Sequence, residues 1–278
     1  MQKIGFVDFY LSEWHANHYP AWIAETCKQT GQQFTVAYAW AEQDVSPVDG
    51  RSSDEWCAAM GIEKCGTLEE LCEKSDCIAI LAPSNPEKHL AYAEKVLAYG
   101  KRTYIDKTFA PDYATALKIF QAAEAGKAAF FSSSALRYAD ELTDLVGGTH
   151  IVTQGGGSNF PEYAVHQLEM IVKILAARAE RVRVERQGGQ YVCRILFEGG
   201  KTATMLYAEP LPFTVCVQKA DGQNVFRSCD SDYFRNLIAD MLRFFDTGKP
   251  SFDIWQTKEI MKLREAVLCN KPDTWIEL

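Results

Sequence analysis

Apolar positions in the first half of the chain alternate between two rhythms. Nearly uninterrupted apolar runs occupy 2–9 (QKIGFVDF), 33–40 (QFTVAYAW), 77–83 (CIAILAP), 102–107 (RTYIDK) and 128–134 (AAFFSSS). Runs of that kind are buried on both faces of a parallel sheet. Between them the spacing turns helical, as in Tyr19, Trp22, Ile23 and Cys27 within 15–31, and again over 53–61, 67–75, 86–99 and 111–126. Boundary residues agree: Gly31 and Gly126 as stops, Pro111 at a start, Ser53 as an N-cap, and Thr67 with Glu70 as a capping box. Strand–helix alternation of this sort predicts an open, doubly wound, mostly parallel sheet.

The second half has a different rhythm. From 181 onward, short β-type runs (RVRVERQ, YVCRILFE, KTATMLYAE, FTVCVQKA, NVFRSC) are parted by Gly188-Gly189, Gly199-Gly200, Pro210, Pro212 and Asp221-Gly222. Those separators are hairpin and turn signals, so an antiparallel meander is expected. Helical spacing flanks it at 162–177, 231–247 and 256–269. The expected architecture is α/β: a Rossmann-like domain over 1–108, then an α+β domain over 136–278 with a mostly antiparallel open sheet. Residues 109–135 and the C-terminal helices are candidates to pack on the first domain.

Composition narrows the function classes. A chain of 278 residues with 47% apolar and 24% charged residues is an ordinary globular sequence. Its net charge of −8 argues against a nucleic-acid partner, and the Arg-rich stretch 178–187 reads as a solvated strand face. No apolar run reaches the roughly 20 residues needed to span a bilayer. No leader is visible, and the nine scattered cysteines suggest reduced thiols rather than disulfides or a metal site. A cytoplasmic protein is expected.

Three segments carry candidate chemistry. The first is the turn after the opening strand, GFVDFYLSEWHANHY (5–19), placed where a dinucleotide fold holds phosphates. Such a turn needs small residues and a free helix N-terminus. Here Asp8, Tyr10 and Glu13 bring bulk and negative charge. The second is LAPSNPEKH with YIDKTFAPD, at the C-terminal ends of consecutive expected strands, the ligand-binding edge of open α/β sheets. Lys107 is either a solvated strand-end lysine or a group reaching into that edge. The third is GGGSNFPEYAVHQLEM (155–170), where Glu162, His166 and Glu169 fall on one helix face. That face is an ordinary charged surface, a general acid–base site, or, less readily, a metal site.

Taken in order, these segments resemble the Gfo/Idh/MocA family of NAD(P)-dependent oxidoreductases across nearly the whole chain. Asp106-Lys107-Thr108 stands where the family has Glu-Lys-Pro. The helix carrying Glu162, Ala164, His166 and Glu169 is similar to the family's Asp-x-Gly-x-His-x-x-Asp helix, and Arg137 to an arginine common after the preceding strand. The resemblance implies hydride transfer to or from a hydroxyl or carbonyl of a sugar- or polyol-like molecule. Lys107 would orient the reacting oxygen and His166 exchange its proton, aided by Glu162 or Glu169. It implies NAD or NADP contacted by Phe9, Tyr10, Leu11, Ser12, Ala82, Pro83, Ser84, Asn85, His89, Asp106, Lys107 and Arg137, no metal, and a homodimer.

The departures leave a second reading open. The glycine fingerprint is absent, the acidic residue expected after the second strand has only Glu42 as a substitute, and only 17 residues separate Arg137 from Gly155. Under the first reading, Ser12, Ser84 and Asn85 make up for the lost glycines. Under the second, the chain is a ligand sensor or assembly subunit, with Tyr10 or Trp14 filling the phosphate channel.

Overall fold

The computed structural model describes residues 1–269 and 273–278. The chain divides into two compact units, Met1–Ser133 with Leu237–Phe252, and Ser134–Asn236 with Asp253–Leu278.

The first unit alternates strands and helices: β1 (Gln2–Asp8), α1 (Trp14–Thr30), β2 (Phe34–Ala41), α2 (Ser53–Met60), β3 (Glu63–Lys64), α3 (Leu68–Lys74), β4 (Cys77–Ile80), α4 (His89–Leu97), β5 (Arg102–Ile105), α5 (Tyr113–Gly126) and β6 (Phe130–Ser132). All six strands pair in parallel, in the order β3-β2-β1-β4-β5-β6. The order reverses between β1 and β4, which makes the ends of those strands the topological switch point. Apolar side chains on β1, β4 and β5 are fully buried, Phe6, Ile78, Ile80, Tyr104 and Ile105 among them. That burial explains why these strands read as unbroken apolar runs.

Local signals set most of the ends. Helix α1 stops at Gly31 in the left-handed region, φ 77°. The N-cap of α2 is Ser52 rather than Ser53, since its hydroxyl and the Glu55 carboxylate form the reciprocal capping box. Thr67 caps α3, but the Glu70 carboxylate accepts from Gly66 N (2.8 Å), one residue before the position a capping box requires. Strand β5 ends at Ile105, two residues earlier than its apolar run suggests, and the Asp106 carboxylate turns inward.

The second unit holds β7 (His150–Gly155), α6 (Phe160–Leu175), β8 (Ala179–Gln187), β9 (Gln190–Phe197), β10 (Lys201–Tyr207), β11 (Thr214–Gln218) and β12 (Asn224–Ser228). Helix α7 (Tyr233–Thr247) follows and passes into the first unit, then α8 (Trp255–Leu268) and β13 (Ile276–Glu277) complete the second. Its sheet runs β12-β11-β7-β10-β9-β8-β13. Neighbours are antiparallel except β7 with β10, which are parallel, so the sheet is mostly antiparallel as expected, with one unforeseen interior strand, β7. Val182, Val184, Ile195, Met205, Val215 and Val217 face the core, which α6 lines with Leu168, Ile171 and Leu175. The basic stretch behaves as a solvated strand face: Arg181 and Arg183 pair with Glu277 and Asp273.

Candidate functional site

The β1–α1 turn is built around carboxylates. Asp8, the last residue of β1, is 1% exposed, and its Oδ1 accepts from Phe9 N (2.7 Å) and Ala82 N (3.1 Å). Ala82 itself turns the chain after β4 with φ 48°. Glu13 is the N-cap of α1, its carboxylate accepting from His15 N (2.7 Å) and Ala16 N. Two residues along, His15 Nδ1 meets the buried Asp106 carboxylate, which also accepts from Tyr104 OH (2.8 Å) and Lys107 N (2.8 Å). His15 stacks on Tyr19, rings 5.0 Å apart.

The electrostatics follow from that crowding. Burial, and then the negative charge of Glu13, push Asp8 well above the usual carboxylate range. Burial likewise raises Glu13, with His15 working against it. Asp106 is equally buried, yet it is held below the usual range because His15, Lys107 and Tyr104 outweigh the burial. The acids of this cluster therefore separate into two that burial shifts upward and one that its partners hold down.

The remaining candidates of the first unit surround this cluster at the C-terminal edge of the sheet. Leu11 and Ser12 are buried, and Ser12 Oγ donates to Asp49 (2.7 Å) rather than into an open turn. Phe9 lies under the Lys88 ammonium, 4.7 Å from ring centre to Nζ, and Lys88 also pairs with Glu42. Glu42 accepts from Tyr92 OH as well (2.8 Å), so the acid expected at the ribose position already has partners. Asn85 donates to Glu87 (3.0 Å), and Ser84 is exposed beyond Pro83. His89 is fully buried, with both ring nitrogens against the Phe109 and Leu81 carbonyls, a structural position whose pKa burial lowers. Lys107 is half-buried, its Nζ 3.3 Å from Pro83 O, and the Lys107–Thr108 peptide is cis. Trp14 is 48% exposed, so the group on the helix amides is Glu13 and not that ring.

The second unit carries the other candidates. His166 is half-buried on α6, with Nδ1 2.6 Å from Ser134 Oγ. Glu169 is turned away to a buried pair with Arg137 (2.6 Å) and also accepts from Ser134 N (3.1 Å). Arg137 reaches Gln256 Oε1 as well (2.8 Å). Glu162 accepts from Asn159 Nδ2 (3.1 Å) in the first turn of α6, beside the cap. The glycine run before α6 serves packing: Gly157 has φ 143°, and a Cβ there would lie 2.0 Å from the Tyr163 ring.

His15 and Tyr104 are polar partners of Asp106 that the apolar pattern passed over, with Tyr19 stacked on His15. A signal was present, since His15, Tyr19 and Ile23 recur at i, i+4 and i+8, the buried stripe of α1. A histidine and a tyrosine on such a stripe need polar partners inside the fold.

No protein-family profile matches the chain, and no curated protein matches it. Solved structures do. An oxidoreductase from Thermotoga maritima superposes with a TM-score of 0.75 at 14% identity, covering 99% of this chain and 98% of that one. UDP-N-acetylglucosamine 3-dehydrogenase from Acidithiobacillus ferrooxidans gives 0.73 at 13%, with 96% of each chain covered. An NAD-binding protein from Listeria innocua gives 0.71 at 16%, covering 99% and 96%. The chain shares the fold of these solved dehydrogenases and oxidoreductases.

A dinucleotide in the usual place of that fold sets its pyrophosphate on the helix amides after β1. Here those amides already hold Glu13, and the buried Asp8 adds a second acid. As built, the turn does not fit a pyrophosphate.

Proposed function

We propose that this chain is an oxidoreductase-type enzyme working at a hydroxyl- or carbonyl-bearing carbon of a sugar- or polyol-like molecule. The observation that carries the reading is Lys107, at the C-terminal edge of a dehydrogenase-fold sheet with its amide fixed by Asp106. Lys107 donates a hydrogen bond to the reacting oxygen. His166, held at Nδ1 by its contact with Ser134, exchanges the proton of that oxygen through Nε2. Glu169 supports this arrangement by fixing the Ser134 backbone. The substrate class follows the UDP-N-acetylglucosamine dehydrogenase among the structural neighbours. The hydride of this reading would be supplied or taken up by NAD or NADP, which would reach the α1 amides only once Glu13 leaves them, and no step is derived through it.

The second reading, a ligand sensor or assembly subunit that has lost the dinucleotide, is favoured by one observation. Asp8 and Glu13 hold the amides of Phe9, Ala82, His15 and Ala16. One experiment separates the two. UDP-N-acetyl sugars and inositols are screened for binding by calorimetry and for conversion by mass spectrometry, with and without NAD(P). Conversion is the expected result; binding of a panel member without conversion would transfer the assignment to the sensor.

A further inference from the structure

The amides at the end of β1 and the start of α1 are the natural anion site of this fold, because their N–H groups converge and the helix dipole favours negative charge. In this chain they are already used. Phe9 N and Ala82 N donate to Asp8, and His15 N and Ala16 N donate to Glu13. The turn is tied down from outside as well, with Ser46 Oγ donating to Ser12 O (2.8 Å) and Ser12 Oγ to Asp49 (2.7 Å). No residue from 8 to 13 has a positive φ, so the backbone is not a glycine loop with larger side chains grafted on.

We propose that the Glu13 carboxylate, seated beside the buried Asp8, is an internal occupant of the phosphate seat, so that a dinucleotide reaches the α1 amides only by displacing Glu13. Two physical terms set the competition. A pyrophosphate must break charge-assisted hydrogen bonds from His15 N and Ala16 N to the Glu13 carboxylate. It must also be seated beside the buried Asp8, one oxygen of which has no partner among the described residues. Glu13 is the movable member, because it can rotate out towards solvent while its backbone still starts the helix. Asp8 is fixed between β1 and β4 by the amides on either side.

This inference rests on the dinucleotide half of the proposed function and not on the chemistry of Lys107 and His166. The test uses the full chain and reads binding alone: NADH and NADPH titrated by calorimetry and nicotinamide fluorescence into the wild type, Glu13→Ser and Glu13→Asn. Both replacements are good N-caps and preserve α1; circular dichroism confirms folding of each. The expected result is affinity at least about tenfold tighter in the variants than in the wild type, the size of losing one charge-assisted competitor. Unchanged affinity in either folded variant overturns the proposal, whether wild type and variant both bind or neither does. Because turnover is not read, failure of the Lys107 and His166 assignment leaves this result standing, and the reverse also holds.

Discussion

Asp8 shows how a single residue can change what a turn does. Its side chain is buried, Oδ1 is fixed by two amides, and burial together with Glu13 raises its pKa. A carboxyl raised in the fold stabilises most when protonated. Its contribution is complete below the unfolded value, about 3.9, and is lost as pH rises through the raised value. Glu13 shifts in the same direction. Asparagine at position 8 copies the neutral acid in shape and keeps the acceptor for Phe9 N and Ala82 N. Thermal melts over a pH series should therefore show the Asp8→Asn protein gaining on the wild type as pH rises from about 4 towards neutrality. Parallel curves over that range would remove the burial argument. The sequence made it plain that Asp8 and Glu13 break the glycine fingerprint. It did not reveal that their carboxylates fold back onto the amides a phosphate would use, since that depends on rotamers and on Ala82 arriving from a distant strand.

Elements were legible where burial is apolar and obscure where it is polar. Five of the six strands of the first sheet and the amphipathic helices follow their periodicity to within a few residues, because each buries an apolar face; the two-residue β3, exposed at both positions, carries no such signal. Strand β7 was missed for the opposite reason. Its inward positions are Ile151, Thr153 and Gly155, and Thr153 is satisfied by Gln167 (2.7 Å), which in turn donates to Gly155 O and Leu206 O. A strand whose core contacts run through a glutamine carries almost no hydrophobic signal. Helix α6 shows the same ambiguity in Glu169, which its spacing put on the face of His166 and which packs as a buried ion pair with Arg137, each side chain 4% exposed. Removing one partner strands the other charge. Glu169→Ala should cost about 3–5 kcal/mol in urea unfolding, and replacing both residues with apolar ones of similar size should recover most of that loss. A loss below about 1 kcal/mol would mean the guanidinium finds other partners.

For the molecule as a whole, order along the chain was more informative than any one motif. A glycine-free turn, an Asp-Lys-Thr in place of Glu-Lys-Pro and a Glu-x-x-x-His helix are each weak. In sequence they led to the dehydrogenase fold that solved structures at 10–16% identity share. Fold outlasts motif because the apolar strands and helix stripes that specify it tolerate many substitutions, whereas a phosphate turn is altered by a few. Function is harder to carry across that distance, and the proposal reduces to a kinetic claim about two residues. Lys107 and His166 are the two residues to which the proposed function gives the handling of the reacting oxygen and its proton. On whichever panel substrate the wild type converts, Lys107→Ala and His166→Ala should each lower kcat by about 10²–10⁴ with melting temperature little changed. Groups that serve one step are not additive, so the double variant should be scarcely slower than the worse single one. Losses that multiply would assign the two residues to separate steps. A single variant at wild-type kcat would withdraw its residue from the chemistry.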